Sequence, residues 1–241
     1  MRVLCFVKGF FIILFGGIQL IYNVIRSLYI RTLEYQAVKY ESIPLEQPWG
    51  FERLLKVRRK VLVLDLDETL VHSQNNNPYL IRPQSQPDFI LRVEIERGKE
   101  PVKFYVNKRP HVDYFLDVVR QWYDIVVYTA SIEKYGQQVI NVLDNKRGIF
   151  QRRYFRQHCV LDSSIHGQYT KDLSMILPDM SSVFIIDNSP SAYKNYPDNA
   201  IAVPTWTKDR SDTWLLNLLP FLDGLRFCND VRTILSRHRQ R

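Results

Sequence analysis

Residues 61–73 read VLVLDLDETLVHS, and this stretch decides the fold. Four apolar residues with no polar interruption read as a strand buried on both faces. They run straight into Asp65 and Asp67, and an isolated buried carboxylate is costly. The acidic half therefore belongs at the open end of the strand. Similar short apolar runs recur at residues 125–128, 183–186 and 201–203, separated by helix-like segments at 111–122, 132–143 and 171–175. This alternation predicts an α/β fold with a central parallel sheet. Residues 89–96 and 102–106 instead alternate with period two around Arg97–Pro101, which predicts an antiparallel hairpin inserted early in the domain. Residues 212–225 and 231–237 read as amphipathic helix.

Charge is uneven along the 241 residues. Residues 1–60 hold ten Lys/Arg against four Asp/Glu, and residues 226–241 hold five against one, while the body between holds 18 against 20. Basic ends on a slightly acidic body point to an anionic surface as partner and away from nucleic acid, whose basic patch would lie on the body. Cys5, Cys159 and Cys228 are odd in number and far apart, as expected in a reducing compartment.

Within residues 3–30 only Lys8 and Arg26 are charged, and the charge-free run 9–25 is 17 residues long. That is the lower limit of a bilayer span. Lys8, Gln19, Tyr22, Asn23 and Arg26 also share one helical sector, as in a helix lying in the membrane plane, and both arrangements stay open. No small-residue cleavage site follows, which argues against a removed signal peptide. The expected organisation is a membrane-associated helix at 1–34, a basic linker at 35–60 carrying Pro44, Pro48 and Gly50, and a catalytic domain at 61–241 with its hairpin within about 76–106.

Ligands of open α/β sheets bind at the carboxyl ends of the strands. Asp65, Asp67 and Thr69 follow the first strand, Thr129 and Ser131 the next, and Asp187 and Asn188 the third. The spacing of two turns both aspartates to one side of an extended chain. With Asp187 and Asn188 they form a hard, oxygen-rich site suited to Mg²⁺. Lys171, in YTKDLS, adds a cation shortly before the third strand. Such a cup suits phosphoryl transfer to a carboxylate nucleophile. Bringing a phosphate dianion to about 4 Å from a bare carboxylate costs about 8 kcal/mol at an effective dielectric near 20. That is close to six decades of rate, so the cations are required by electrostatics.

Taken singly, each feature has a plainer reading. An Asp-x-Asp often caps a helix, Thr129 could be an N-cap and Lys171 a surface residue. Their joint placement after successive strands favours chemistry. Rival signatures are missing: Ile165 lies six positions after Cys159 where a cysteine phosphatase needs Arg, and there is no H-E-x-x-H or G-x-x-x-x-G-K-[ST]. His158, beside Cys159, reads as structural.

DLDETLVHS, TAS at 129–131, YTKDLS around Lys171 and IIDNSP at 185–190 resemble the four motifs of haloacid-dehalogenase-type phosphatases, and within them the FCP/SCP group of protein serine phosphatases. KRPHVDYFL at 108–116, FRQHC at 155–159, SDTWLLNLLP at 211–220 and LRFCNDVRTILSR at 225–237 are similar to the Dullard-like, nuclear-envelope branch. The resemblance implies a Rossmann-like fold and Mg²⁺-dependent hydrolysis of phosphoserine or phosphothreonine. It implies Asp65 as the nucleophile and Asp67 as the acid that protonates the leaving oxygen and then activates water. Thr69, Thr129 and Lys171 would hold phosphate; Asp65, the Asp67 carbonyl and Asn188 would bind the metal, with Asp187 supporting it. Further implications are residence at the endoplasmic reticulum and nuclear envelope, a small membrane regulatory subunit, and lipin-type phosphatidate phosphatases as substrates.

Departures from that branch are the tract QNNNPYLIRPQSQ at 74–86, Ser191 in place of Gly, WTKDRSD at 206–212 and the lack of an aromatic tail. They touch substrate and partner choice and leave catalysis intact. A non-catalytic module like that of the mitochondrial import translocase would tend to lose the paired aspartates, which this chain keeps. A small-molecule phosphomonoesterase would carry a large cap over its site.

Overall fold

The computed structural model describes Tyr22, Tyr40 and residues 48–75, 86–162 and 167–239. The chain divides into two compact units, residues 1–41 and 42–241, and the fold below is that of the second. The apolar segment 3–30 lies outside the described residues apart from Tyr22; among the described residues no helix is long and apolar enough to cross a membrane.

β1 (Val61–Leu64) is the middle strand of a five-stranded parallel sheet. On one side it pairs with β5 (Asp124–Tyr128), which pairs with β6 (Arg152–Tyr154); on the other it pairs with β9 (Val183–Asp187), followed by β10 (Ala200–Ala202). All four β1 residues are buried, as a strand covered on both faces requires. α2 (Val112–Trp122) packs through Val112, Phe115, Leu116, Val119 and Trp122, a helical stripe. α3 (Glu133–Asp144) follows β5, and α4 (Trp214–Leu225) and α5 (Arg232–Arg239) close the chain. Gly136 in α3 allows close approach, since a Cβ there would lie 3.1 Å from the Phe155 ring.

The expected antiparallel hairpin is present and extended, the helix read at 171–175 needs correction, and the stretch read as linker contains a helix. The hairpin of β3 (Phe89–Val93) and β4 (Val102–Lys108) is part of a three-stranded antiparallel sheet, because β2 (Val71–Asn75) pairs with the other edge of β4. VHSQN has no apolar run to announce it; the strand has one buried residue and turns polar outward. Residues 171–175 hold only a 3₁₀ turn, Leu173–Met175, nucleated when the Asp172 side chain accepts from the Ser174 N–H. Within the stretch read as linker, Pro48–Lys56 forms helix α1, where a proline at the first helical position is tolerated. The short β7 (Val160–Leu161) and β8 (Tyr169–Thr170) form a further ribbon.

Candidate active site

The chain leaves β1 with the Asp65 N–H donating to the Ile186 carbonyl at 3.0 Å, one step beyond the ladder. It then turns tightly. Glu68 takes a left-handed conformation, φ 59°, its N–H reaching the Val71 carbonyl at 2.7 Å while Leu70 N–H reaches that of Leu66. This turn holds Asp65 and Asp67 at the sheet's carboxyl end with Leu66 buried behind them. The tips of β5 and β9 bring Thr129, Ser131, Asp187 and Asn188 to the same place. Together they line a cleft of about 460 Å³.

Lys171 is at its centre. Its ammonium donates to Asp65 Oδ1 and to Asp187 Oδ2, each at 2.6 Å, and lies 5.9 Å from the centre of the Tyr128 ring. Burial alone would lower the Lys171 pKa; Asp187 and Asp65 reverse it and hold the side chain charged. Asp65 moves the other way, pushed up to about 7 by burial and by Asp187, with Lys171 opposing. The other oxygen of Asp187 accepts the Ser189 N–H at 2.8 Å, which fixes this carboxylate as the post holding Lys171.

Asp67 is gripped at both oxygens. Tyr135 donates its hydroxyl to Oδ1 at 2.7 Å and Ser131 donates to Oδ2 at 2.6 Å. Burial raises the Asp67 pKa, and these two donors offset part of that rise. Neither was singled out from sequence as a partner of Asp67. Tyr135 lies on the buried stripe of α3, where a tyrosine reads as core, and only its position one turn into the helix after TAS could have marked it.

Thr129 lines the cleft, its Oγ1 accepting the Ser131 N–H at 3.0 Å. Thr69 is fully buried and is not part of the lining; its hydroxyl donates to Asn188 Oδ1 at 3.2 Å, so it positions Asn188. Arg156, Gln168 and Tyr169, which sequence did not flag, also line the cleft, with Arg156 stacked over the Tyr169 ring at 5.5 Å. His158 is structural, its Nδ1 accepting the Phe155 N–H. Burial pushes the Cys159 thiol up to about 11, which suits a packed residue and not a nucleophile.

The lining carries four carboxylates, Asp65, Asp67, Glu68 and Asp187, against Lys171 and Arg156. The lining is therefore rich in carboxylate oxygen. Among the described residues no three His, Cys, Asp or Glu form a metal cage. A Mg²⁺ ion does not need one, since it takes one or two carboxylates and completes its shell with neutral oxygens and water. Asp65, the Asp67 carbonyl and the Asn188 amide oxygen fit that donor chemistry.

The profile of the NLI interacting factor-like phosphatases matches residues 60–232. The chain belongs to that family. It is 56% identical over 212 residues to CTD nuclear envelope phosphatase 1 of Xenopus tropicalis, covering 87% of this chain and 84% of the relative. It is 54% identical over 241 residues to the Caenorhabditis elegans homolog, covering 99% and 93%. Among solved structures, the fission yeast RNA polymerase II CTD phosphatase Fcp1 bound to beryllium fluoride aligns with a TM-score of 0.51 at 19% identity, over 79% of this chain and 57% of that one. That likeness is one of fold. This chain is thus a protein phosphatase of the NLI interacting factor-like family, with the α/β sheet and the acidic cleft described above.

Proposed function

We propose that this phosphatase removes phosphate from phosphoserine and phosphothreonine in proteins through an aspartyl-phosphate on Asp65. The observation that supports it best is Lys171 bridging Asp65 and Asp187 at 2.6 Å each. It opposes the burial and the Asp187 charge that push the nucleophile's carboxyl up, and it neutralises part of the charge that would repel phosphate.

In the first step an Asp65 oxygen bonds to phosphorus as the bond to the serine oxygen breaks. Asp67 gives that oxygen its proton. A protonated Asp67 is favoured by burial, and the Ser131 hydroxyl can rotate aside from Oδ2 while Tyr135 keeps its hold on Oδ1. In the second step Asp67 takes a proton from water, whose oxygen attacks the phosphorus and releases inorganic phosphate and free Asp65. Acid and base roles of this kind contribute about 10²–10⁴-fold each. Thr129 and Lys171 hold phosphate oxygens, and Thr69 acts at one remove through Asn188. Asp65, the Asp67 carbonyl and Asn188 would hold Mg²⁺, with Asp187 in support; when bound, the ion offsets charge on the transferring phosphoryl oxygens.

The relatives' names place them at the nuclear envelope. We take residues 1–34 to attach this chain to that membrane and to the endoplasmic reticulum, residues 35–60 to link anchor to catalyst, and the substrate to be a lipin-type phosphatidate phosphatase or a similar phosphoprotein, with a small membrane subunit as partner. Turnover of an aryl phosphate by the full chain tests the chemistry. It is expected with Mg²⁺, and to drop at least about 10³-fold in Asp65→Asn and on chelation. Equal rates for the two proteins would sink the mechanism. Comparing a lipin-type phosphopeptide with a polymerase-tail phosphopeptide tests the substrate.

A further inference from the structure

The amino end of the central sheet, opposite the cleft, carries a second surface. α1 runs through Val57–Lys60 into the start of β1 and so lies at that end. Its partly buried side is fixed: Arg53 donates to the Phe227 carbonyl at 2.9 Å and to Asn229 Oδ1 at 3.1 Å. Phe51 and Leu55, one turn apart, are 56% and 71% exposed. An α-helix places residues i and i+4 side by side, so these two form one apolar ridge.

Three contacts bring the chain's C-terminal stretch to the same end. Besides the Arg53 bonds, the Val231 N–H reaches the Ser181 carbonyl at 3.0 Å just before β9, and the Lys60 ammonium donates to the Arg226 carbonyl at 3.0 Å. The two basic flanks, far apart in sequence, therefore converge. The exposed cations here are Lys56, Arg58, Arg59, Arg232 and Arg237, with Arg53 half-buried, against Glu52 and Asp230, while Lys60 is buried and Arg226 is buried against Asp223 at 2.7 Å. Beside them a polar cleft of about 420 Å³ opens at the start of β5, lined by Arg59, Arg120 and Arg152 with Asp124 its one acid.

We propose that this end docks on an anionic lipid surface, Phe51 and Leu55 entering between headgroups while Lys56, Arg58 and the arginine-lined cleft meet lipid phosphates. The combination decides the occupant: an exposed apolar ridge set in excess positive charge matches an interface that is apolar within and anionic at its rim. The catalytic cleft, roughly 15 Å away along strands of four to five residues, then faces away from the membrane, open to protein substrates. This contact uses residues 48–60 and 226–239 and does not depend on how residues 3–30 sit in a bilayer.

Amide hydrogen exchange of the full chain on phosphatidylcholine vesicles, with and without phosphatidylserine, tests it. Exchange in 48–60 and 227–239 should slow about tenfold when phosphatidylserine is present, while 129–131 and 167–169 around the cleft stay unchanged. The double variant Phe51→Ser, Leu55→Ser should keep its aryl phosphate turnover, which shows that it is folded, and lose this protection. Lys56→Glu with Arg58→Glu should abolish the dependence on phosphatidylserine. Equal exchange in α1 on both vesicles, full protection in the serine variant, or protection that comes only with a second polypeptide would overturn the proposal, the last assigning the face to a protein.

Discussion

The hold on Asp67 is the feature of the site most open to test at the level of one side chain. Tyr135 touches the Phe104 ring, centres 4.8 Å apart, and donates to Asp67 Oδ1, so its hydroxyl fixes where the acid points. Tyr135→Phe keeps the ring and removes only the donor. Loss of aim matters when the leaving oxygen needs a proton. Turnover of a phosphoserine peptide, whose alkoxide is a poor leaving group, should fall about 10–100-fold, while an aryl phosphate with an acidic phenol should lose less than about threefold. An equal fall on both substrates would show that Tyr135 supports the fold and not the acid. Asp65, Asp67 and Lys171 were legible in sequence because spacing and strand ends constrain them together. Thr69, read from sequence as a phosphate ligand, lies buried beside Asn188, a depth that a one-dimensional pattern does not give.

Among the elements, the end of α3 shows how a carboxylate shapes a loop. Asp144 accepts the N–H groups of Gly148, Ile149 and Phe150 at 3.0, 2.6 and 3.3 Å, closing a turn in which Asn145, Lys146 and Gly148 all have positive φ. Burial pushes the Asp144 carboxyl up, but the three donors outweigh it and hold the pKa below the usual carboxylate range. A depressed folded pKa stabilises above the unfolded value near 4, and the contribution is lost as pH falls through the folded pKa. Asp144→Asn should therefore lower the unfolding free energy by about 1–3 kcal/mol at neutral pH. The gap from the parent should narrow once pH drops below about 4. Urea titrations at the two pH values measure this, and a constant gap would rule out the carboxylate as its source. Four of the five strands of the parallel sheet, all but β6, and α2 to α4 were readable from the sequence pattern. β2 and α1 were not, because VHSQN owes its place to pairing with β4, and Pro48 and Gly50 look like linker until tertiary contacts such as Arg53 to Phe227 are formed.

Across the whole molecule, folding gathers like charge at the cleft and positive charge at the opposite end. Crowding four carboxylates against two cations around one cavity costs folding energy, which shows in the raised Asp65 and Asp67 carboxyls and which a bound cation would offset. Mg²⁺ should therefore bind the native chain in preference to the unfolded one and raise its melting temperature. At a hundredfold excess over the dissociation constant the gain is about 2.7 kcal/mol. For a chain of this size that is roughly 5–10 °C. Asn188→Ala leaves the charge balance untouched but removes one neutral oxygen, and the rise should shrink to less than half. Asp65→Asn removes one of the repelling carboxylates, so it should start from a higher melting temperature in chelator and respond little to Mg²⁺. Sodium chloride at matched ionic strength separates binding from screening. If it reproduces the Mg²⁺ shift, or if Asn188→Ala responds like the parent, the cleft offsets its charge in some other way, and Asp65, the Asp67 carbonyl and Asn188 are not the ion's ligands.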